Sequence, residues 1–429
     1  LQADFNHFEK NNRLWLDDFA EFMAIKEHFG NQALQKWDDK KAVARDPKTL
    51  EKYRTMLADQ IQYFKVTQYF FFKQWSELKH YANQKGIKII GDMPIYVAAD
   101  SVEVWTKPEL FQLDKERNPL FVAGVPADQF SATGQLWGNP LYDWEEHKKQ
   151  GYAWWIHRIE ESFKIYDVLR IDHFKGFSDY WQVDGKADIA KYGSWQPGPG
   201  YDLFKAVKEQ LGDLPIIAED LGNIDDKARK LLADCNYPGM KILQFGFEDV
   251  SGKSLDSPHY CIPHSIVYTG THDNDVTNGW YNGLTEQQQQ YINDYTHRRE
   301  DESICQAMIR QLFATVSNTA IATMQDVLDL PASSRMNVPS TIGGNWQWRM
   351  QQSDLTQDKK DFLAKMTTLY QRANQENPMI KFSTFVKNET NKSLEQLSDK
   401  ETYIQLLNYV KALSADKPKN TGKRKVYYI

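Results

Sequence analysis

The chain has 429 residues, a mass of 50.0 kDa, a formal charge of −6 and a pI near 6.0. That length allows about two or three compact units, or one large barrel with insertions. The near-neutral, mildly acidic balance gives no footing for nucleic acid, and no apolar run reaches the roughly 18 residues that cross a membrane. Cys235, Cys261 and Cys305 are an odd, scattered set without metal-ligand spacing. They read as reduced thiols, and a cytoplasmic location is expected.

Residues 1–86 read as helical. Trp15, Phe19, Phe22 and Met23 fall at helical spacing, with Gly30 as a stop. A second helix is expected over 59–85, ended by Gly86. Six short apolar segments follow, at 87–92, 168–172, 216–219, 240–245, 266–271 and 320–326. Amphipathic stretches at 154–166, 203–211, 225–233 and 304–313 lie between most of them. Such alternation predicts a parallel sheet with helices outside it. No GxGxxG or P-loop is present, which favours a (β/α) barrel over a dinucleotide fold.

About 70 residues separate the first two predicted strands, where a plain unit needs roughly 30. The inserted stretch, 98–166, is expected to shape a substrate groove. Residues 351–413 turn charged and helical again, and 416–425 form a basic tail. The expected organisation is a helical subdomain (1–86), a catalytic barrel (87–350) and C-terminal helices with a tail (351–429).

Five of the predicted strands end in or run into a carboxylate: Asp92, Asp172, Glu219, Asp273 and Asp326. Strand ends of a barrel form one rim, where active sites of this architecture sit. Convergent acids suit hard-metal binding or glycoside chemistry. Arg170 lies two residues before Asp172 and so shares its side of the strand; a cation there holds a nucleophile ionised and would gain a metal cage nothing. Glu219 follows three apolar residues, which raise a carboxyl pKa as a general acid needs. His272 and Asn274 flank Asp273 and offer donors and acceptors for sugar hydroxyls. Thirteen tryptophans among 13% aromatic residues permit sugar stacking, but large cores use them too.

Long motifs narrow these alternatives. They are GDMPIYVAADSVEVW (91–105), GVPADQFSATGQLWGNPLYDW (124–144), VLRIDHFKGF (168–177), IIAEDLG (216–222), PGMKILQFGF (238–247), VYTGTHDND (267–275) and MQDVLDLPASSRMNVPSTIGGNWQWR (324–349). With them the chain resembles the 4-α-glucanotransferases (amylomaltases) of glycoside hydrolase family 77, in the α-amylase clan. The resemblance runs from about Trp15 to Tyr428. It implies a (β/α)8 TIM barrel with helical insertions, and activity on maltodextrin, amylose, starch or glycogen chains without metal or cofactor.

Residue by residue, it implies Asp172 as nucleophile, Glu219 as general acid and then base, and Asp273 as transition-state stabiliser. Arg170 and His272 would bind the glucosyl unit at the cleavage point, with Asp92 at the rim of the same subsite and Asn274 among the substrate-binding residues. Trp137 would stack on an acceptor sugar, and the loop 124–139 would cover the groove. A retaining mechanism implies carboxyl groups of Asp172 and Glu219 about 5–5.5 Å apart. Two departures follow. The family has two further β/α units, with an SPYQS-like motif, before the point where this chain begins, and six strands do not close an eight-stranded barrel. Val276 stands where many members carry Thr. Two alternatives stay open: an α-1,4-glucan hydrolase, and an inactive glucan-binding fragment.

Overall fold

A computed structural model describes residues 1–127, 131–222, 224–372, 398 and 401, and the backbone of 425–428. The chain divides into two compact units, Leu1–Gly239 and Met240–Ile429. Among the described residues, no helix is long and apolar enough to cross a membrane.

The first unit opens on the two long helices read from the sequence, Gln2–His28 and Ala58–Gln84. Gly30 and Gly86 follow them with φ of +68° and +74°, the left-handed conformation that glycine adopts without penalty. The helices pack through aromatic rings, Phe5 on Tyr69 and both Phe8 and Trp15 on Phe72. Two shorter helices between them, Lys40–Val43 and Pro47–Met56, begin at Asp39 and Asp46, whose carboxylates accept backbone N–H groups.

Eleven strands are described: β1 Ile90–Met93, β2 Phe121–Val125, β3 Gln135–Pro140, β4 Val168–Ile171, β5 Asp179–Asp184, β6 Gly193–Pro197, β7 Ile216–Ala218, β8 Gly239–Ile242, β9 Ser265–Tyr268, β10 Thr319–Ala322 and β11 Lys425–Tyr428. In the first unit β1, β4 and β7 form a parallel sheet in that order. These are three of the predicted strands, in their predicted neighbourhood. Helix Ala153–Ile165 supplies the crossover from β1 to β4.

The inserted stretch carries both helices and strands. Residues 98–166 do carry helices, but β2 and β3 also lie there and join β5 and β6 in an antiparallel sheet of order β3-β2-β5-β6. Glycine and proline punctuation obscured the short alternation that marks such strands. Tyr142 Oη donates to the Ile95 carbonyl (2.7 Å), Arg158 Nη2 to that of Pro94 (2.7 Å) and Asn139 Nδ2 to that of Val97 (2.9 Å). These bonds pin the loop that leaves β1.

In the second unit the strand order is β11-β10-β9-β8, with β9, β10 and β11 parallel. Two predicted strands give way to helix before their expected ends. After Ile242 the chain turns into helix Leu243–Glu248, and after Ala322 into helix Met324–Val327, capped by Thr323. A short apolar run does not distinguish a strand from a buried helical turn. Helix Gln357–Leu369 lies in the region after 350; most of the expected C-terminal helical region from 373 to 413, and the basic tail at 416–424, lie outside the described residues.

One buried histidine gives the first unit an acid-sensitive element. His147 is 1% exposed and sits among Tyr142, Trp144 and Trp154. Burial pushes its pKa down to about 4. The unfolded chain takes up this proton near pH 6.5, the folded chain only near pH 4. Its contribution is therefore complete above pH 6.5 and lost as pH falls across that window, by on the order of 3 kcal/mol. His147→Phe should flatten the decline of unfolding free energy between pH 6.5 and 4 in denaturant titrations. Superimposable slopes for the two proteins would contradict this.

Candidate active site

Parallel pairing of β1 with β4 sets Asp92 opposite Arg170. Register partners on neighbouring strands point to one face, and Asp172 follows two residues later on that face. Arg170 is only 7% exposed, and its Nη1 donates to both Asp92 oxygens (2.6 and 2.7 Å) and to Asp172 Oδ1 (2.8 Å). Burial alone would lower the Arg170 pKa; the charges of Asp92, Asp172 and Glu219 outweigh it and hold the guanidinium above its ordinary value. The sequence paired Arg170 with Asp172. The structure adds Asp92 as its second anion.

Glu219 follows the buried strand β7 and extends the ladder by one residue. Its N–H donates to the Ile171 carbonyl (3.0 Å), and its carbonyl accepts from Phe174 N–H (3.0 Å). The carboxyl accepts from two backbone groups, His173 N–H on Oε2 (2.8 Å) and Leu221 N–H on Oε1 (2.7 Å). Part of the residue stays accessible, yet loss of water dominates and lifts its pKa to about 7. Arg170 opposes the rise, Asp172 adds to it, and the two backbone donors oppose it again. A carboxyl group poised at neutrality can give and take a proton at little cost.

Trp137, on β3, is 37% exposed and meets the His173 ring edge-on at 4.8 Å. The covering loop expected at 124–139 includes 128–130, which lie outside the described residues.

The remaining three predicted residues lie together in the second unit, on the turn after β9. Asn274 Oδ1 accepts from Thr271 N–H (2.8 Å) and Thr271 Oγ1 (3.0 Å), so its carbonyl shapes the turn. Asp273 Oδ1 accepts from Asn337 Nδ2 (2.7 Å), and the Asp273 carbonyl accepts from Arg335 Nη2 (2.7 Å). His272 Nε2 stands 3.3 Å from Asp273 Oδ2, and the His272 ring lies 5.1 Å from that of Trp346, itself 53% exposed. Arg335, Asn337 and Trp346 fall inside the 324–349 motif, but nothing in their spacing singled them out.

Asp326, in the second unit, is held inside the protein. It is 2% exposed, accepts from Thr269 Oγ1 (2.7 Å) and Thr277 N–H (2.8 Å), and fastens the segment after β9. Its reading as a rim acid is corrected: it is a structural group on a helical turn. Among the described residues, His157, Glu160 and Glu161 could bring ligand atoms to one metal ion, and they belong to neither group above.

The electrostatics make a prediction that needs no turnover. Asp172→Asn removes a charge that raises the Glu219 pKa and leaves the lowering effect of Arg170 less opposed. The Glu219 carboxyl, followed by infrared or carbon-13 titration, should titrate below its wild-type midpoint of about 7. An unchanged or higher midpoint would refute the coupling.

The family described as 4-alpha-glucanotransferase, glycoside hydrolase family 77, matches residues 1–356. The 4-alpha-glucanotransferase of Streptococcus pneumoniae serotype 4 is 52% identical over 373 residues, 87% of this chain and 74% of the relative. That of Clostridium butyricum is 43% identical over 372 residues, 86% of this chain and 76% of the relative. The structure of amylomaltase from Streptococcus agalactiae in complex with acarbose superposes with a TM-score of 0.85 at 58% identity, covering 87% of this chain and 75% of that one. With the family matched over most of its length and its α/β fold shared with an amylomaltase, the chain belongs to the 4-alpha-glucanotransferases of glycoside hydrolase family 77.

Proposed function

We propose that the chain disproportionates α-1,4-glucans, moving a segment from a donor to the 4-hydroxyl of an acceptor glucan or glucose. The observation that carries this reading is the asymmetry of two carboxyl groups. Asp172 touches the buried Arg170 cation, whereas Glu219 is desolvated and titrates near 7. Asp172 Oδ attacks the anomeric carbon while Glu219 gives its proton to the departing 4-oxygen. A shortened glucan leaves, and a β-linked glycosyl ester forms on Asp172. The acceptor's 4-hydroxyl then attacks the same carbon, Glu219 takes its proton, and the Asp172 carboxylate is released.

Arg170 and Asp92 form the charged floor beneath the reacting sugar, and Trp137 offers its face to the acceptor. For Asp273 and His272 we adopt the roles that the family resemblance implies, gripping hydroxyls of the glucosyl unit. Asn274 acts on substrate through the turn it shapes. Exposed Trp346, whose ring lies 5.1 Å from that of His272, offers an aromatic face beside it.

The finer fold reading, a (β/α)8 barrel, and the 1–86, 87–350 and 351–429 organisation are proposed on the same likeness. Parallel strands followed by helices support the barrel. A cytoplasmic location suits the three unpaired cysteines.

Incubation with maltotriose tests the activity. Disproportionation gives glucose plus a ladder of longer maltodextrins on thin-layer chromatography. Glucose and maltose without longer products would mean hydrolysis. Asp172→Asn should lower turnover by at least about a thousandfold with glucan binding kept; wild-type binding without turnover above this variant would identify a binding protein instead. The first step uses protonated Glu219, so kcat/KM for the donor should fall as pH rises through about 7. A donor profile flat from pH 6 to 9 would exclude Glu219 as the acid.

A further inference from the structure

We infer that His173 is a positioning residue that links the proton-transferring carboxyl to the acceptor platform: its backbone N–H holds Glu219 and its imidazole ring holds Trp137. The inference rests on the glucan reading above and adds a residue to which that reading gives no part.

Three observations converge on His173. Its φ is +50°, a left-handed conformation that residues other than glycine adopt at a cost. This turn comes directly after Asp172 and aims the His173 N–H at Glu219 Oε2, 2.8 Å away. The ring meets Trp137 at 4.8 Å with the planes at 90°. Edge-to-face geometry of this kind is favourable between aromatic rings. Tyr96, from the loop pinned after β1, contacts Trp137 as well, at 6.3 Å. A third feature makes room for the ring: a Cβ on Gly176 would come 3.0 Å from His173 Cδ2 and 2.7 Å from Ile95 Cδ1.

The groups around the ring keep it uncharged. Burial pushes its pKa down to about 4; Asp172 opposes this, Lys175 reinforces it, and Asp179 opposes it. A neutral ring packs on Trp137 as an uncharged aromatic edge. One residue thus fixes two partners of the second half-reaction. A sugar stacked on Trp137 is held in register with the carboxyl that takes its 4-hydroxyl proton. Water, which does not need Trp137, gains nothing from the link. His173 therefore favours transfer over hydrolysis.

Two variants of the full chain separate ring from backbone. His173→Gly keeps the left-handed turn and its N–H but loses the ring. His173→Phe restores an aromatic edge. With maltotriose as donor and glucose as acceptor, His173→Gly should raise the acceptor KM roughly tenfold, the worth of one such ring pair. That rise should exceed any fall in kcat for donor cleavage, and the hydrolysed share of product should grow. His173→Phe should recover most of the acceptor KM. An unchanged acceptor KM in His173→Gly overturns the inference. So does an equal loss in both half-reactions with no rescue by Phe, which is the mark of a merely structural residue.

A second readout is independent of turnover. In 5-fluorotryptophan-labelled chain, the fluorine-19 line of Trp137, assigned by W137F, should shift or broaden in His173→Gly and return in His173→Phe. A line unmoved by loss of the ring overturns the inference. Wild-type chain that fails to disproportionate would defeat the glucan reading, while the fluorine line would still decide whether His173 holds Trp137.

Discussion

A guanidinium taken out of water must be met by anions, and the site around Arg170 is organised by that requirement. An unpaired buried charge would cost several kcal/mol. Asp92 and Asp172 supply the anions, and strand register delivers them: Asp92 lies across the β1–β4 pairing and Asp172 two residues along the same strand. The same cation then sorts the carboxyl groups. Asp172 is within hydrogen-bonding distance of Nη1, whereas Glu219 answers first to desolvation, then to the opposing charges of Arg170 and Asp172, and last to two backbone N–H groups. Two acids in unlike environments are what a retaining transfer uses, one carrying charge and one carrying a proton.

The surrounding fold serves to hold these few groups still. The loop after β1 is fixed by side chains from the insertion and the crossover helix, Tyr142, Asn139 and Arg158. Glu219 is held through its main chain on both sides and through both carboxyl oxygens. In the second unit Asp273 is held by its carbonyl and one carboxyl oxygen, from Arg335 and Asn337. Charged groups fixed before substrate arrives need no rearrangement during reaction, and that fixity is where electrostatic catalysis gets its strength.

How far the sequence shows this depends on whether a feature is local. Acids closing apolar runs are visible, and so is the two-residue step from Arg170 to Asp172. The share that Asp92 takes in Arg170 is not, because it comes from pairing between strands 78 residues apart. Asp326 misleads for the opposite reason. It ends an apolar run like the others, but the run turns helical after Ala322 and buries the carboxylate under Thr269 and Thr277. His173 gives no signal, since a left-handed turn is ordinarily announced by glycine or asparagine. Tryptophan content was ambiguous for a physical reason: Trp37, Trp105 and Trp155 are fully buried in the core, while Trp137, Trp195 and Trp346 are exposed. Composition does not tell these two uses apart. The antiparallel sheet built from β2, β3, β5 and β6 was hidden by the loop-like residues that surround it.

The most direct test of the central claim is to trap the ester on Asp172. 5-Fluoro-α-glucosyl fluoride should lose fluoride as Asp172 attacks, and the ring fluorine slows the second step so that the ester accumulates. Intact-mass measurement followed by peptide mapping should find one glycosyl group per chain, on the peptide carrying Asp172, and none on the Asp172→Asn variant. Turnover of the reagent with no covalent label, or a label on a different carboxylate, would contradict the account.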